Sequence, residues 1–145
     1  MKSEAGSAQL ERIRESFAHQ SLMTTISADI DTVESGRVVI SAPVLEDFKQ
    51  QQGHAHGALV FALGDTAAGY AALSIMPMDK EVMTAELKIN FLSPGSGNLI
   101  AEGRVLKPGR RLIVVAADVW AQKPDGSRKQ VAALQGTMIP VEIST

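Results

Sequence analysis

The sequence predicts an α+β fold in which a curled antiparallel sheet of about six strands wraps one long central helix, with a short N-terminal helix outside. Three observations predict it. The run GALVFALGDTAAGYAALSIM, residues 57–76, is apolar or small almost throughout, so it reads as a helix with no solvent face. From Met83 onward the chain alternates polar and apolar residues between turn signals, which supplies consecutive antiparallel strands. A sheet this short leaves an exposed edge strand, and pairing with a second copy is the usual remedy. A dimer with a continuous sheet is therefore expected.

The elements follow in order. Residues 8–20 form a helix, because Leu10, Ile13 and Phe17 recur on one face; these three are assigned packing and no chemistry. Ile26, Ala28 and Ile30 alternate with polar neighbours and read as a strand. Glu34-Ser35-Gly36 makes a turn, and residues 37–42 complete a hairpin. Residues 43–53 are polar and irregular. The long helix comes next and stops at Pro77, which cannot continue it. Met83, Ala85, Leu87, Ile89 and Phe91 share one face of the following strand, with Thr84, Glu86, Lys88 and Asn90 on the other. That is the pattern of a half-buried strand. Ser93-Pro94-Gly95 ends it. Strands at 99–107, 112–122 and 129–141 are joined by Lys107-Pro108-Gly109-Arg110, a type II turn signature, and by Lys123-Pro124-Asp125-Gly126. The chain is read as one domain, residues 23–145, with residues 1–22 as a helical segment packed on it.

Composition narrows the function classes. The chain has 145 residues, 45% hydrophobic and 21% charged, which fits a globular domain. A net charge of −2 argues against a dedicated nucleic-acid binder. With no cysteine, thiolate chemistry and cysteine zinc sites are excluded, and a cytoplasmic location is expected. The segment MKSEAGSAQLERIRESF has no apolar core, so no secretory signal is expected. Residues 57–76 are long enough to span a bilayer. However, they are rich in Ala and Gly, carry Asp65 near the centre and lack flanking Lys/Arg clusters, so a buried helix is expected and no membrane partner.

A carboxylate in such an apolar run is rare without a partner or a task. The residues around Asp65 carry a resemblance. HGALVFALGDTAAGYAA, beginning at His56, resembles the HGG-x-x-x-x-L-x-D-T/S-A motif of the PaaI-type (phenylacetic acid degradation) hotdog thioesterases. MTAELKINFLSP and VLKPGRRLIVVAADVW resemble the strands that follow that family's helix. The resemblance covers residues 50–141. It implies a hotdog fold, hydrolysis of acyl-CoA thioesters in a homodimer or dimer of dimers, and no cofactor beyond the coenzyme A of the substrate. The family's acid falls on Asp65, its helix-start glycine on Gly57, its histidine on His56, and its water-supporting Ser/Thr on Thr84. Ala58 stands where the motif has its second glycine, and Gln50 where some members carry an Asn. With His54, these two are expected to line the substrate.

The chemistry can also be argued physically. Thioester hydrolysis needs an activated water or a nucleophile, and a donor for the charge that develops on the carbonyl oxygen. The first N–H groups of a helix have no internal partner and sit at the positive end of its dipole, so Gly57 N–H suits the second task. Asp65, poorly solvated among Leu63, Ala67 and Ala68, suits the first. These two residues lie eight apart, about 12 Å along a helix, too far to act on one carbonyl. Two antiparallel copies would bring Gly57 of one chain to Asp65 of the other. Thr84 raises a conflict, since alternation places it opposite Leu87. His54 and His56 form an H-x-H pair, but two imidazoles alone make a poor metal site, and no metal is expected. Among the cations, Arg110 and Arg111 are the best pair for the phosphates of CoA. Two alternatives stay open: an acyl-CoA hydratase or dehydratase using His56 with Asp65, and a non-catalytic acyl-CoA-binding protein.

Overall fold

The computed structural model describes residues 4–144. It contains α1 (Glu4–Ala18), α2 (Ser21–Thr25), β1 (Asp29–Glu34), β2 (Arg37–Pro43), a single 3-10 turn at Glu46–Phe48, α3 (Gly57–Leu73), β3 (Lys80–Phe91), β4 (Asn98–Lys107), β5 (Ile113–Gln122) and β6 (Arg128–Glu142). Every strand pairing is antiparallel, and the order across the single sheet is β1-β2-β4-β5-β6-β3. The expected wrapped helix is present. Residues 1–3 of the expected N-terminal segment lie outside the described residues.

The sheet curls over α3, and the core lies between them. Leu59, Val60, Leu63, Ala67, Ala68, Tyr70 and Leu73 are buried against Val38, Ile40, Leu99, Ala101, Val115, Ala117 and Leu134. Small residues permit the close approach. A Cβ added to Gly103 of β4 would lie 2.2 Å from the backbone carbon of Ala67. α1 closes one end: Ile13 and Phe17 are buried, while Gln9 and Arg12 donate to the backbone carbonyls of Met76 and Lys80. At the far end of α3, Ser74 Oγ accepts the Gly36 N–H at 2.6 Å and donates to Ala71 O at 2.6 Å. That pair of bonds ties the β1–β2 turn to the helix end. Among the described residues no helix is long and apolar enough to cross a membrane.

Four local expectations are corrected. The helix expected over 8–20 runs Glu4–Ala18 and is followed by α2, so Ile26 closes a helical turn instead of opening a strand. Met23 and Ile26, three apart, are both buried, and helical spacing wins over the alternation of Ile26, Ala28 and Ile30. Ser27 then turns the chain with a φ of 58° before β1 begins. Second, α3 stops at Leu73, capped by Ser74, and residues 74–76 form a turn ahead of Pro77. Third, Gly109 has no positive φ, so the loop after β4 is not the type II turn that its Pro-Gly suggests. The glycine is needed instead because a Cβ would meet Leu112 O at 2.3 Å. Fourth, the apolar face of β3 is covered only in part: Val82, Leu87 and Ile89 pack against the core, and the rest of the strand is exposed or nearly so. β3 is the sheet's outer edge opposite β1, and Met83, Phe91 and the following Leu92 are each more than half exposed.

Candidate active site

Asp65 sits midway along α3 and is half-buried, less enclosed than its apolar neighbours in sequence suggest. Thr84 Oγ1 donates to Asp65 Oδ1 at 2.7 Å and lies 3.2 Å from Met138 Sδ. Strict alternation would aim Thr84 away from the helix. The structure resolves the conflict with a β-bulge. The register passes from Thr84↔Met138 to Glu86↔Thr137, leaving Ala85 as the extra residue. One inserted residue exchanges the two faces of a strand. Thr84 therefore shares the inner face with Leu87 and Ile89, both packed on the core, while Met83 is exposed. Gly136, the partner of Leu87 one step past the bulge, permits a close approach of the two strands: a Cβ there would lie 2.2 Å from Glu86 O.

Beside Asp65 is a hollow of about 190 Å³. Thr84 and Val82 line it from β3, Thr66 and Tyr70 from α3, and Gln20 from the link between α1 and α2. Gln20 Nε2 donates to the Tyr70 hydroxyl at 2.7 Å, and Ser16 Oγ lies 2.9 Å from the same oxygen. Burial pushes the Tyr70 hydroxyl above the ordinary tyrosine range, so it stays protonated at neutral pH. Gln20 and Tyr70 escape sequence reasoning, because nothing local marks two residues fifty apart as neighbours.

Gly57 is the first residue of α3. His56 is the N-cap, with its Nδ1 accepting the Ala58 N–H at 2.9 Å. The N–H groups of Leu59 and Val60 both reach His56 O. In this first turn the Gly57 N–H has no partner among the described residues. The Phe91 ring packs over the glycine, its Cζ 3.1 Å from where a Cβ would be. Gly57, Gln50, His54 and Phe91 line a second hollow of about 390 Å³, to which Asp65 and Thr84 do not contribute. Gln50 Oε1 is occupied in closing its own turn, accepting the Gln52 N–H at 2.5 Å and the His54 N–H at 3.4 Å. His56 and Ala58 face a third, mostly apolar hollow of about 350 Å³ with Leu22, Ile26 and Phe48.

One chain thus keeps donor and acid apart. Asp65 with Thr84 is one group; Gly57 with His54 and Gln50 is another, about 12 Å back along the helix. Nor is His56 beside Asp65 within a chain, as a hydratase pair would require. Arg110 and Arg111 are exposed in the loop leading into β5 at Ile113, whereas Gly57 lies beside Phe91, whose ladder neighbours are Ala132 and then Val119. Six residues of strand, about 20 Å, separate the two places. The structure does not bring these arginines to the Gly57 hollow of the same chain. The Arg128 guanidinium lies over the Trp120 ring, 5.9 Å from its centroid.

Comparison with known proteins bears on the family and the fold. The sequence profile of the thioesterase superfamily matches residues 52–127. A Saccharolobus solfataricus protein, provisionally described as an esterase, is 37% identical over 91 residues; the match spans 62% of this chain and 64% of that relative. The 1,4-dihydroxy-2-naphthoyl-CoA hydrolase of Listeria monocytogenes is 30% identical over 83% of this chain and 95% of its own. A crystal structure of a thioesterase family protein from Silicibacter pomeroyi superposes with a TM-score of 0.89 at 36% identity, covering 93% of this chain and 99% of that one. The E. coli PaaI protein from the phenylacetic acid degradation operon shares the fold, with a TM-score of 0.82 at 21% identity over 97% of both chains.

Proposed function

The chain belongs to the thioesterase superfamily, and we propose that it hydrolyses an acyl-CoA thioester to the free acid and CoA at a site shared between two copies. Asp65 of one copy acts on water, and the Gly57 N–H of the other receives the oxyanion. The observation that carries this reading is the pair of half-sites on one helix: a bare N–H at its start and a hydroxyl-bonded carboxylate two turns on, in separate hollows. The exposed edge strand β3, with Met83, Phe91 and Leu92 uncovered, supports the second copy. A dimer of dimers extends the same proposal. The motif from His56 to Ala72 supports a place among the PaaI-type members.

The step balances simply. Asp65 removes a proton from water as the oxygen bonds to the thioester carbon, and the carbonyl oxygen becomes an oxyanion held by Gly57 N–H. Collapse expels the CoA thiolate, which takes the proton from Asp65. Alternatively, the Asp65 carboxylate itself attacks and expels the CoA thiolate. Water then cleaves the resulting anhydride at the Asp65 carboxyl carbon, releasing the acid and restoring the carboxylate, and the thiolate takes the proton that water gives up. Single turnover in oxygen-18 water separates the routes, since only attack by Asp65 leaves label in its carboxylate. Thr84 orients the carboxylate in either case. Thr84→Val keeps the shape but removes the donor, and kcat is expected to fall about 10- to 100-fold, with Thr84→Ser recovering most of it. Equal rates for Thr84→Val and the parent enzyme would remove Thr84 from the site. The reading as a whole is tested by a panel of acyl-CoAs with a thiol-detecting readout. Release of CoA from at least one is expected, and CoA affinity without release from any would contradict it.

A further inference from the structure

We propose that His54 is a further catalytic residue, which donates a ring N–H to the thioester sulfur as CoA leaves. The proposal rests on the thioesterase reading above and deepens it. Three polar side chains line the hollow that holds Gly57: Gln50, His54 and Ser93. Two of them are engaged. Gln50 spends its side-chain oxygen on the N–H groups of Gln52 and His54, and its amide nitrogen donates to Gln52 Oε1 at 3.3 Å. Ser93 Oγ donates to Gln130 O at 2.5 Å. Of the three, only the His54 ring lacks a hydrogen-bond partner among the described residues, and it is the one titratable side chain in that lining. The backbone beneath it is fixed. His54 O accepts the Gln50 N–H at 2.8 Å, the Ala55 N–H reaches Gly95 O at 2.8 Å, and the His56 N–H reaches Phe48 O at 3.0 Å. Gly53, with a φ of 86°, makes the turn that sets His54 in place. A tied-down loop thus carries one unengaged donor into the hollow of the oxyanion N–H.

The chemistry gives that donor a task. Sulfur is bonded to the same carbon as the oxygen that Gly57 N–H receives, so the two atoms are neighbours in the site. When the intermediate collapses, the C–S bond breaks and both of its electrons stay on sulfur. The His54 N–H donates a hydrogen bond to this growing charge and keeps its proton; the thiolate takes its proton from Asp65 or from water. Each tautomer of the ring carries such an N–H. The need is greatest where Asp65 attacks directly. The tetrahedral intermediate then has two leaving groups, and a carboxylate is a far weaker base than an alkyl thiolate. Without a donor at sulfur this intermediate would mostly revert to the thioester. A fixed donor aimed at the charge that develops tips it forward.

The test places one acyl group, the best in the acyl-CoA panel, on CoA, on N-acetylcysteamine and on thiophenol. The first two are alkyl thiols; thiophenol is a weaker base and leaves more readily unaided. kcat/KM is measured for the full-length protein, His54→Ala and His54→Phe. One variant leaves a gap and the other fills it, and both lack the N–H. Both should lose about tenfold or more on the two alkyl thioesters and less than about threefold on the thiophenyl ester. Circular dichroism checks that both remain folded. An equal loss on all three esters, a loss confined to the CoA ester, a loss in only one variant, or no loss overturns the proposal and leaves the thioesterase reading intact. No release of CoA by wild type from any acyl-CoA in the panel overturns both.

Discussion

Asp65→Asn is expected to lower kcat by about a thousandfold or more while leaving the fold intact. Asparagine has the same shape, and its side-chain oxygen can still accept from Thr84 Oγ1, which lies 2.7 Å from Asp65 Oδ1. What it lacks is the capacity to take a proton from water or to attack the thioester carbon. Both routes depend on that capacity, so both are abolished. Residual turnover would come from the oxyanion donor and substrate orientation, which the substitution does not touch. Steady-state hydrolysis of the best acyl-CoA in the panel, alongside a thermal melt, checks the expectation. Turnover at the wild-type rate would make Asp65 a structural residue.

The largest stability effect is expected at Gly103. Its added Cβ would lie 2.2 Å from Ala67 C, 2.3 Å from Ala67 O and 2.4 Å from Ala68 N. All three are helix backbone atoms and cannot rotate aside as a side-chain end could. Moving α3 away would also open its packing on the rest of the curled sheet, as at Gly64 against Leu134, one turn back on the same face. Gly103→Ala should therefore cost about 3 kcal/mol or more, at the upper end of the range for overpacked cores. It should also lower activity, since Asp65 is only two residues before Ala67. Urea denaturation measures the first effect and acyl-CoA turnover the second. A loss below about 0.5 kcal/mol would mean that the helix does not touch β4 as described.

Much of this was legible in the sequence, and the exceptions have physical causes. The wrapped helix was visible because an unbroken apolar run from Gly57 ending near Pro77 allows no other globular placement. The sheet's composition was visible from alternation and turn residues, but its order was not, since β3 leaves the helix only to pair with the last strand, β6. The bulge was hidden for a different reason. The strand from Met83 to Phe91 alternates cleanly, and its phase breaks at Ala85, opposite the step from Met138 to Thr137 on the neighbouring strand, which the local pattern cannot show. Thr84 thus reached Asp65 against its own sequence pattern. Ile26 was misread because two periods, three and two, overlap there, and only the buried Met23 decides between them. At the site, Asp65, Gly57 and the His56 cap could be found from the helix run and its start. The Gln20–Tyr70–Ser16 cluster could not, as it is assembled by α1 docking on the domain.

The central claim is that each active site takes its donor from one copy and its acid from another, and complementation tests it most directly. Two variants are needed, each lacking one half-site. Asp65→Asn removes the acid. Gly57→Pro removes the donor N–H at a helix position whose backbone suits proline; the Phe91 ring, with Cζ 3.1 Å from the Cβ position, must give way, and a thermal melt checks that the variant remains folded. His56, with φ −62° and ψ 140°, already has the extended backbone that a following proline requires. The variants are co-expressed with different affinity tags, and the mixed oligomer is isolated through both. A dimer holding one of each chain has one site with both groups intact and one with neither. The account predicts that two nearly inactive proteins yield a mixed dimer with about half the wild-type turnover. A mixed dimer as inactive as its parents would contradict it.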